Sequence, residues 1–184
     1  METHAPVGYT ATQRWIHWLT AVIVIALLAA AIAMNNVAPG PLMNNLYVLH
    51  WSLGVTVFPL VLIRLAIRLR RPAPALPEEM PGWQRFAAHA NHALLYAILL
   101  VNPVLGYLTK SAFGGPVTFF WIVDFPPAIA KNEALFERLS TVHVIIGFVM
   151  IAAIAAHVGA ALYHGIIRRD GVFSRMTTGA GPLA

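Results

Sequence analysis

The chain of 184 residues is 59% hydrophobic and only 10% charged, with no cysteine and a formal net charge of +5. That much apolar surface exceeds what a soluble domain of this length can cover, so the chain reads as one membrane-integral helical unit with no separate soluble domain. The basic residues flank apolar runs, so the positive balance does not indicate nucleic acid; the missing cysteines exclude disulfides, cysteine-ligated iron–sulfur clusters and covalent c-type haem.

Four apolar runs follow in order. The first, residues 15–34, is long enough to cross a bilayer. Arg14 ahead of it and the small residues around Ala31 and Ala33 imitate a secretory signal peptide, yet the run is long and more spans follow. Residues 35–45, rich in Asn, Pro and Gly, break the chain before a second span at 46–69, which ends among Arg68, Arg70 and Arg71. A Pro-rich stretch at 72–81 leads to a third span at 84–108, with a kink expected at Asn102-Pro103. The long connection 110–137 carries Phe119, Phe120 and Trp121, aromatics suited to the membrane surface, and the fourth span covers 139–167. The expectation is an all-α integral membrane four-helix bundle, one domain over residues 1–184.

Loop charge orients the bundle. Arg14, Arg68, Arg70, Arg71, Arg85, Arg168, Arg169 and Arg175 collect on one side, while the loop after the first span has no Lys or Arg. The other outer connection balances Lys110, Lys131 and Arg138 against Asp124, Glu133 and Glu137. The positive-inside rule then puts both termini in the cytoplasm.

Orientation sorts the histidines by depth. His143 and His157 lie fourteen residues apart, so both leave one face of the fourth span, separated by roughly 21 Å at ~1.5 Å per residue. In a hydrocarbon core ~30 Å thick, His143 falls near the outer surface and His157 toward the inner one. His17 on the first span lies near the inner surface, and His50 on the second near the outer. The depth-matched pairs are therefore His17 with His157 and His50 with His143. Imidazole within a membrane is costly and needs a reason. Ligation of haem iron by two imidazoles, with the porphyrin filling apolar space, suits two stacked pairs. Zinc fits less well, because it prefers four ligands converging on one point.

Other residues gather around these pairs. Gly54 and Gly147 follow His50 and His143 by one helical turn, where a missing side chain lets a flat macrocycle approach; small-residue helix packing is the competing account. Arg64, fourteen residues after His50, shares its inward face at the inner level, where haem propionates would be its partner; snorkelling to the headgroups competes. Arg14 is a second candidate for those propionates. His164, seven residues beyond His157, is a candidate quinone contact with Trp18 as an aromatic wall, set against an exposed interfacial side chain. His89 and His92 are candidate substitute ligands for the inner iron, although Arg85 and the Pro-rich approach suggest a surface location. His4 lies in a polar tail and carries no signal.

The segments RWIHWL around His17, LHWSLG around His50 and VLIRLAIRLRRP at the end of the second span form an ordered set with His143, His157 and the LYHG segment at His164. This set resembles the bacterial cytochrome b561 family, four-helix di-haem b proteins of the inner membrane, over about residues 10–169. The resemblance implies the same four iron ligands, two haem b groups, and ubiquinone as electron partner. Some members are similar to superoxide oxidases, which pass an electron from periplasmic superoxide to ubiquinone. On that reading Lys110, Lys131 and Arg138 are candidates for steering superoxide. Wider relatives are membrane anchors that take electrons from a periplasmic dehydrogenase or hydrogenase, which is the alternative. A colourless metal-ion transporter or structural bundle is the reading from another class. Lipid is a partner in every case, and a homo-oligomer stays open.

Overall fold

The computed structural model describes residues 8–179, so His4 lies outside the described residues. Four long helices carry the fold: α1 (Ala11–Met34), α2 (Pro41–Arg70), α3 (Gly82–Phe113) and α4 (Glu133–Leu162). All four are long and apolar enough to cross a membrane. α1 opens on a capping box, in which Gln13 N donates to Thr10 Oγ1 at 3.3 Å and Thr10 N to Gln13 Oε1 at 3.0 Å. It closes where Asn35 and Asn36 turn their amides back onto the carbonyls of Ala31 and Ile32, each at 2.7 Å.

The three helix boundaries that extend furthest beyond the hydropathy reading each do so for a local reason. Pro41 starts α2 ahead of 46, because its preset φ suits a first helical position and its missing N–H is not needed there. α3 runs past 108, so Lys110 stands on its last turn, and Gly114 ends it in the left-handed region at φ 99°. α4 starts at Glu133 rather than 139, with the Asn132 side chain accepting from Leu135 N at 2.9 Å.

The connection between α3 and α4, expected on the outer side, is a built cap. β1 (Val117–Phe119) and β2 (Val123–Phe125) pair antiparallel, with Val117 opposite Phe125. At the turn Phe120 and Trp121 adopt φ 44° and 57°, a region bulky residues normally avoid. Tethers to α2 hold them there: Phe120 N donates to the buried Ser52 Oγ at 2.7 Å, and Trp121 Nε1 to Asn45 Oδ1 at 3.3 Å. At the other end, α4 runs into a π-helical turn, Tyr163–Arg168, followed by the short helix α5 (Ser174–Thr177).

α1 packs chiefly on α2, and α3 on α4. Val24, Leu27, Leu53, Val57, Val61, Ile98 and Met150 form a core to which all four helices contribute. Val57 lies midway between His50 and Arg64, and Met150 midway between His143 and His157, so this core separates two polar levels. Outward, Val22, Ile25, Ile145 and Phe148 are 63%, 63%, 56% and 68% exposed, a surface suited to lipid.

Candidate functional site

At one level, the outer one on the loop-charge expectation, α2 and α4 face His50 to His143, with ring centres 6.1 Å apart and planes at 88°. Each ring is held by main chain. Nδ1 of His50 donates to the Leu27 carbonyl at 3.1 Å, and Nδ1 of His143 to the Asn102 carbonyl at 3.2 Å. With Nδ1 protonated, Nε2 of each ring keeps its lone pair for a metal. α3 makes room as well as supplying the carbonyl: a Cβ at Gly106 would stand 3.0 Å from Cε1 of His143. The apolar cavity between the helices is lined by His50, Trp51, Gly54, Asn102, Gly106 and His143, among others. The buried side-chain oxygen of Asn102 has no hydrogen-bond partner among the described residues.

At the other level, the inner one on the same expectation, α1 and α4 bring His17 and His157 to 6.2 Å between ring centres. A third imidazole joins them, because His92 of α3 lies 5.2 Å from His157. The surface location expected for His92 is thus replaced by a half-buried one inside the cluster. Arg64 points inward rather than snorkelling: its Nη2 donates to Nδ1 of His17 at 2.8 Å, and its guanidinium lies 5.4 Å over the Tyr96 ring. Trp18 meets His17 edge-on at 5.3 Å.

The spacing of both ring pairs suits a haem, and at the pair His50 and His143 the protonation of Nδ1 suits it as well. Two imidazoles bonded to one first-row metal at roughly 2 Å per nitrogen put their ring centres roughly 6 Å apart. In the cavity around His50 and His143, the apolar lining, the bare Gly54 and Gly106 and the unpartnered side-chain oxygen of Asn102 suit a flat group with polar substituents.

A family model for prokaryotic cytochrome b561 matches residues 8–179. The chain belongs to the prokaryotic cytochrome b561 family. It is 30% identical to the Escherichia coli (strain K12) protein named cytochrome b561 homolog 1 over 172 residues, 91% of this chain and 96% of the relative. To homolog 2 of the same strain it is 29% identical over 176 residues, 95% and 93% of the two chains. To a Yersinia pestis protein named probable superoxide oxidase CybB it is 26% identical over 168 residues, covering 91% and 94%. Membership in the cytochrome b561 family makes this a bacterial membrane protein of electron transfer and implies haem b.

The remaining candidates divide by location. Gly54 lines the outer cavity, and beside Gly147 a Cβ would meet nothing within 4 Å. Lys110 holds its ammonium 4.7 Å over the ring of Trp51, which lines that cavity, and 5.1 Å over Phe113. Lys131 lies against Gly114, where a Cβ would meet its side chain, and Arg138 is exposed on α4. Arg14 donates from Nη1 to the Tyr9 carbonyl at 2.8 Å and abuts Gly179, which engages it with the inner chain ends. His164 is buried at 9% exposure rather than exposed, and is bonded to Asp170. Trp18 is 44% exposed, and its Nε1 donates to the Met176 carbonyl, so the segment after His164 bridges the two candidate quinone contacts.

Asn102 as a carbonyl seat, Gly106, Ser52 and Asp170 are not among the residues that the sequence singles out. Asn102 and Gly106 did leave a signal: a polar residue and a glycine four apart on a span whose other role was a kink. Ser52 and Asp170 left none, since each acts on a segment whose course hydropathy does not describe.

Proposed function

We propose that the chain carries electrons between the two faces of the bacterial inner membrane, through two haem b groups, and exchanges them with quinone. His50 and His143 hold the outer iron, His17 and His157 the inner one, and both termini are cytoplasmic. The observation that carries this reading is the pair of facing imidazoles at each of two levels, with ring separations of 6.1 and 6.2 Å. Haem supplies reversible one-electron chemistry at each level. The chain's own residues do the rest. Main-chain carbonyls aim the outer rings, Arg64 and Arg14 offer positive charge to propionates, and His164 with Trp18 receives the quinone head.

Superoxide is the favoured outer donor, oxidised to O2 while ubiquinone is reduced. Two things support it: the relative named probable superoxide oxidase, and Lys110 over the ring of Trp51, which lines the outer cavity. The alternative is a cytochrome subunit serving a periplasmic dehydrogenase or hydrogenase. It draws support from the hairpin tip, where Trp121 and Ile122 are 56% and 83% exposed on an otherwise tethered cap. One preparation separates these readings. Purified protein should show a low-spin b-type reduced-minus-oxidised spectrum with two haems per chain, and superoxide should reduce it with electrons reaching added ubiquinone. A colourless protein would end the haem reading. A coloured one that is inert to superoxide but copurifies with a soluble redox protein would favour the subunit reading.

A further inference from the structure

The inner end of the bundle holds a side-chain pair that neither iron site uses. Nδ1 of His164, in the π-helical turn, donates to Asp170 Oδ2 at 2.5 Å, and both side chains are largely buried at 11% and 17% exposure. Asp170 is held in turn, since its Oδ1 accepts from Val172 N at 3.2 Å. The adjacent Gly165 makes the arrangement possible: a Cβ there would stand 3.0 Å from Phe173, whose ring closes on the bare backbone. The segment after Arg169 is then tied across the bundle end. Tyr9 N donates to the Arg175 carbonyl, Trp18 Nε1 to the Met176 carbonyl at 3.2 Å, and Arg175 reaches the Ala75 carbonyl. A buried carboxylate clamped at both oxygens and aimed at one nitrogen of a histidine dictates which nitrogen stays protonated.

We propose that Asp170 is a positioning residue that keeps the proton on Nδ1 of His164, so that Nε2 is the atom through which protons reach or leave a quinone. This rests on the proposed role of His164 as a quinone contact. Reducing one quinone to quinol takes two electrons, delivered along the transmembrane redox path, and two protons. One proton passes from Nε2–H to the quinone oxygen that it faces, after which Nε2 takes another from the cytoplasmic side, and the opposite oxygen takes its proton from water. In quinol oxidation the same nitrogen accepts. At every stage Asp170 keeps Nδ1–H, and its negative charge faces the imidazolium whenever both nitrogens are protonated.

The test uses the full-length haem-loaded protein and the variants Asp170→Asn, Asp170→Glu and His164→Gln, with ubiquinone or ubiquinol as the probe. Haem content and reduced spectrum serve as the check on folding. Asp170→Asn should lower kcat about 10- to 100-fold, the usual cost of losing an orienting partner. KM should change less than about twofold, and Asp170→Glu should restore most of the rate. In the reduced protein, ¹⁵N-histidine spectra should show His164 losing its single Nδ1–H tautomer in Asp170→Asn and keeping it in Asp170→Glu. An Asp170→Asn protein with unchanged kcat beside an inactive His164→Gln overturns the positioning role and leaves the quinone contact standing. Unchanged kinetics in His164→Gln overturn the quinone contact itself. Haem loss in Asp170→Asn without rescue by Glu makes Asp170 a structural clamp and overturns the proposal.

Discussion

The outer and inner histidine pairs are alike in spacing, 6.1 and 6.2 Å between ring centres, and opposite in how they are held. The outer rings lean on the carbonyls of Leu27 and Asn102, acceptors built into helices that cannot rotate away. Both carbonyls call for a proton on Nδ1 and leave Nε2 ready to bind a metal. At the inner level the partner is a donor on a long side chain. The bond from Arg64 to Nδ1 of His17 leaves the proton on Nε2, the reverse tautomer. For Nε2 of His17 to bind iron, Nδ1 must carry the proton and the Arg64 bond must be given up. The outer site is thus preorganised by main chain, whereas the inner one depends on where a single guanidinium goes. A propionate at that level would give Arg64 a better partner and would free His17.

The largest effects should come from removing a ring. His143→Ala should lose half of the bound haem and keep the inner signal, and His17→Ala should do the reverse, both measured by haem quantification and redox-resolved spectra. Two intact signals in either variant would mean that another histidine serves, with His92 the nearest at the inner level. A contrast between glycines comes next. At Gly106 a Cβ meets His143 at 3.0 Å, while at Gly147 it meets nothing within 4 Å. Gly106→Val should therefore weaken the outer site by about 1–3 kcal/mol, seen as outer haem lost first on dilution or heating. Gly147→Ala should leave it unchanged. Comparable loss in the two variants would show that the macrocycle, not the ring seat, governs both positions.

Arg64→Leu sharpens the difference between the halves. It removes the competing bond to His17 together with the charge offered to propionates. The inner midpoint potential should fall, because a cation near the haem favours the reduced form, while the outer potential stays constant. Arg64→Lys should lie between, since a point charge keeps the sign but not the planar fork. An outer potential that moves as much as the inner one would deny that the two sites are held independently.

Much of this arrangement was legible in the sequence, and the reason is periodicity. Four apolar runs, a fourteen-residue step from His143 to His157 and the matching step from His50 to Arg64 fix faces and depths, because helical geometry is the same everywhere along a span. What stayed hidden depends on single bonds between segments distant in sequence. Lys110 was assigned to a loop because hydropathy falls before the helix ends at Gly114. The hairpin was unread because its turn residues, Phe120 and Trp121, are not turn formers and hold their φ only through Ser52 and Asn45. His92 was placed at the surface by its neighbours Arg85 and the prolines, although its own face of α3 turns toward His157.

The smallest effect concerns the outer rim, where the comparison becomes one among three cations. Lys110 stands over Trp51, the residue next to His50, while Lys131 rests on Gly114 and Arg138 is exposed on α4. If superoxide approaches the outer site, a charge at the rim acts on the final approach, and the more distant ones act only through a field screened within ~10 Å at 0.1 M salt. Lys110→Gln should slow superoxide-driven haem reduction by a factor of about two to ten at low salt and flatten its dependence on ionic strength. Lys131→Gln and Arg138→Gln should do progressively less. Equal slowing by all three would assign the steering to net charge, and no slowing at any ionic strength would remove this rim from the path of superoxide.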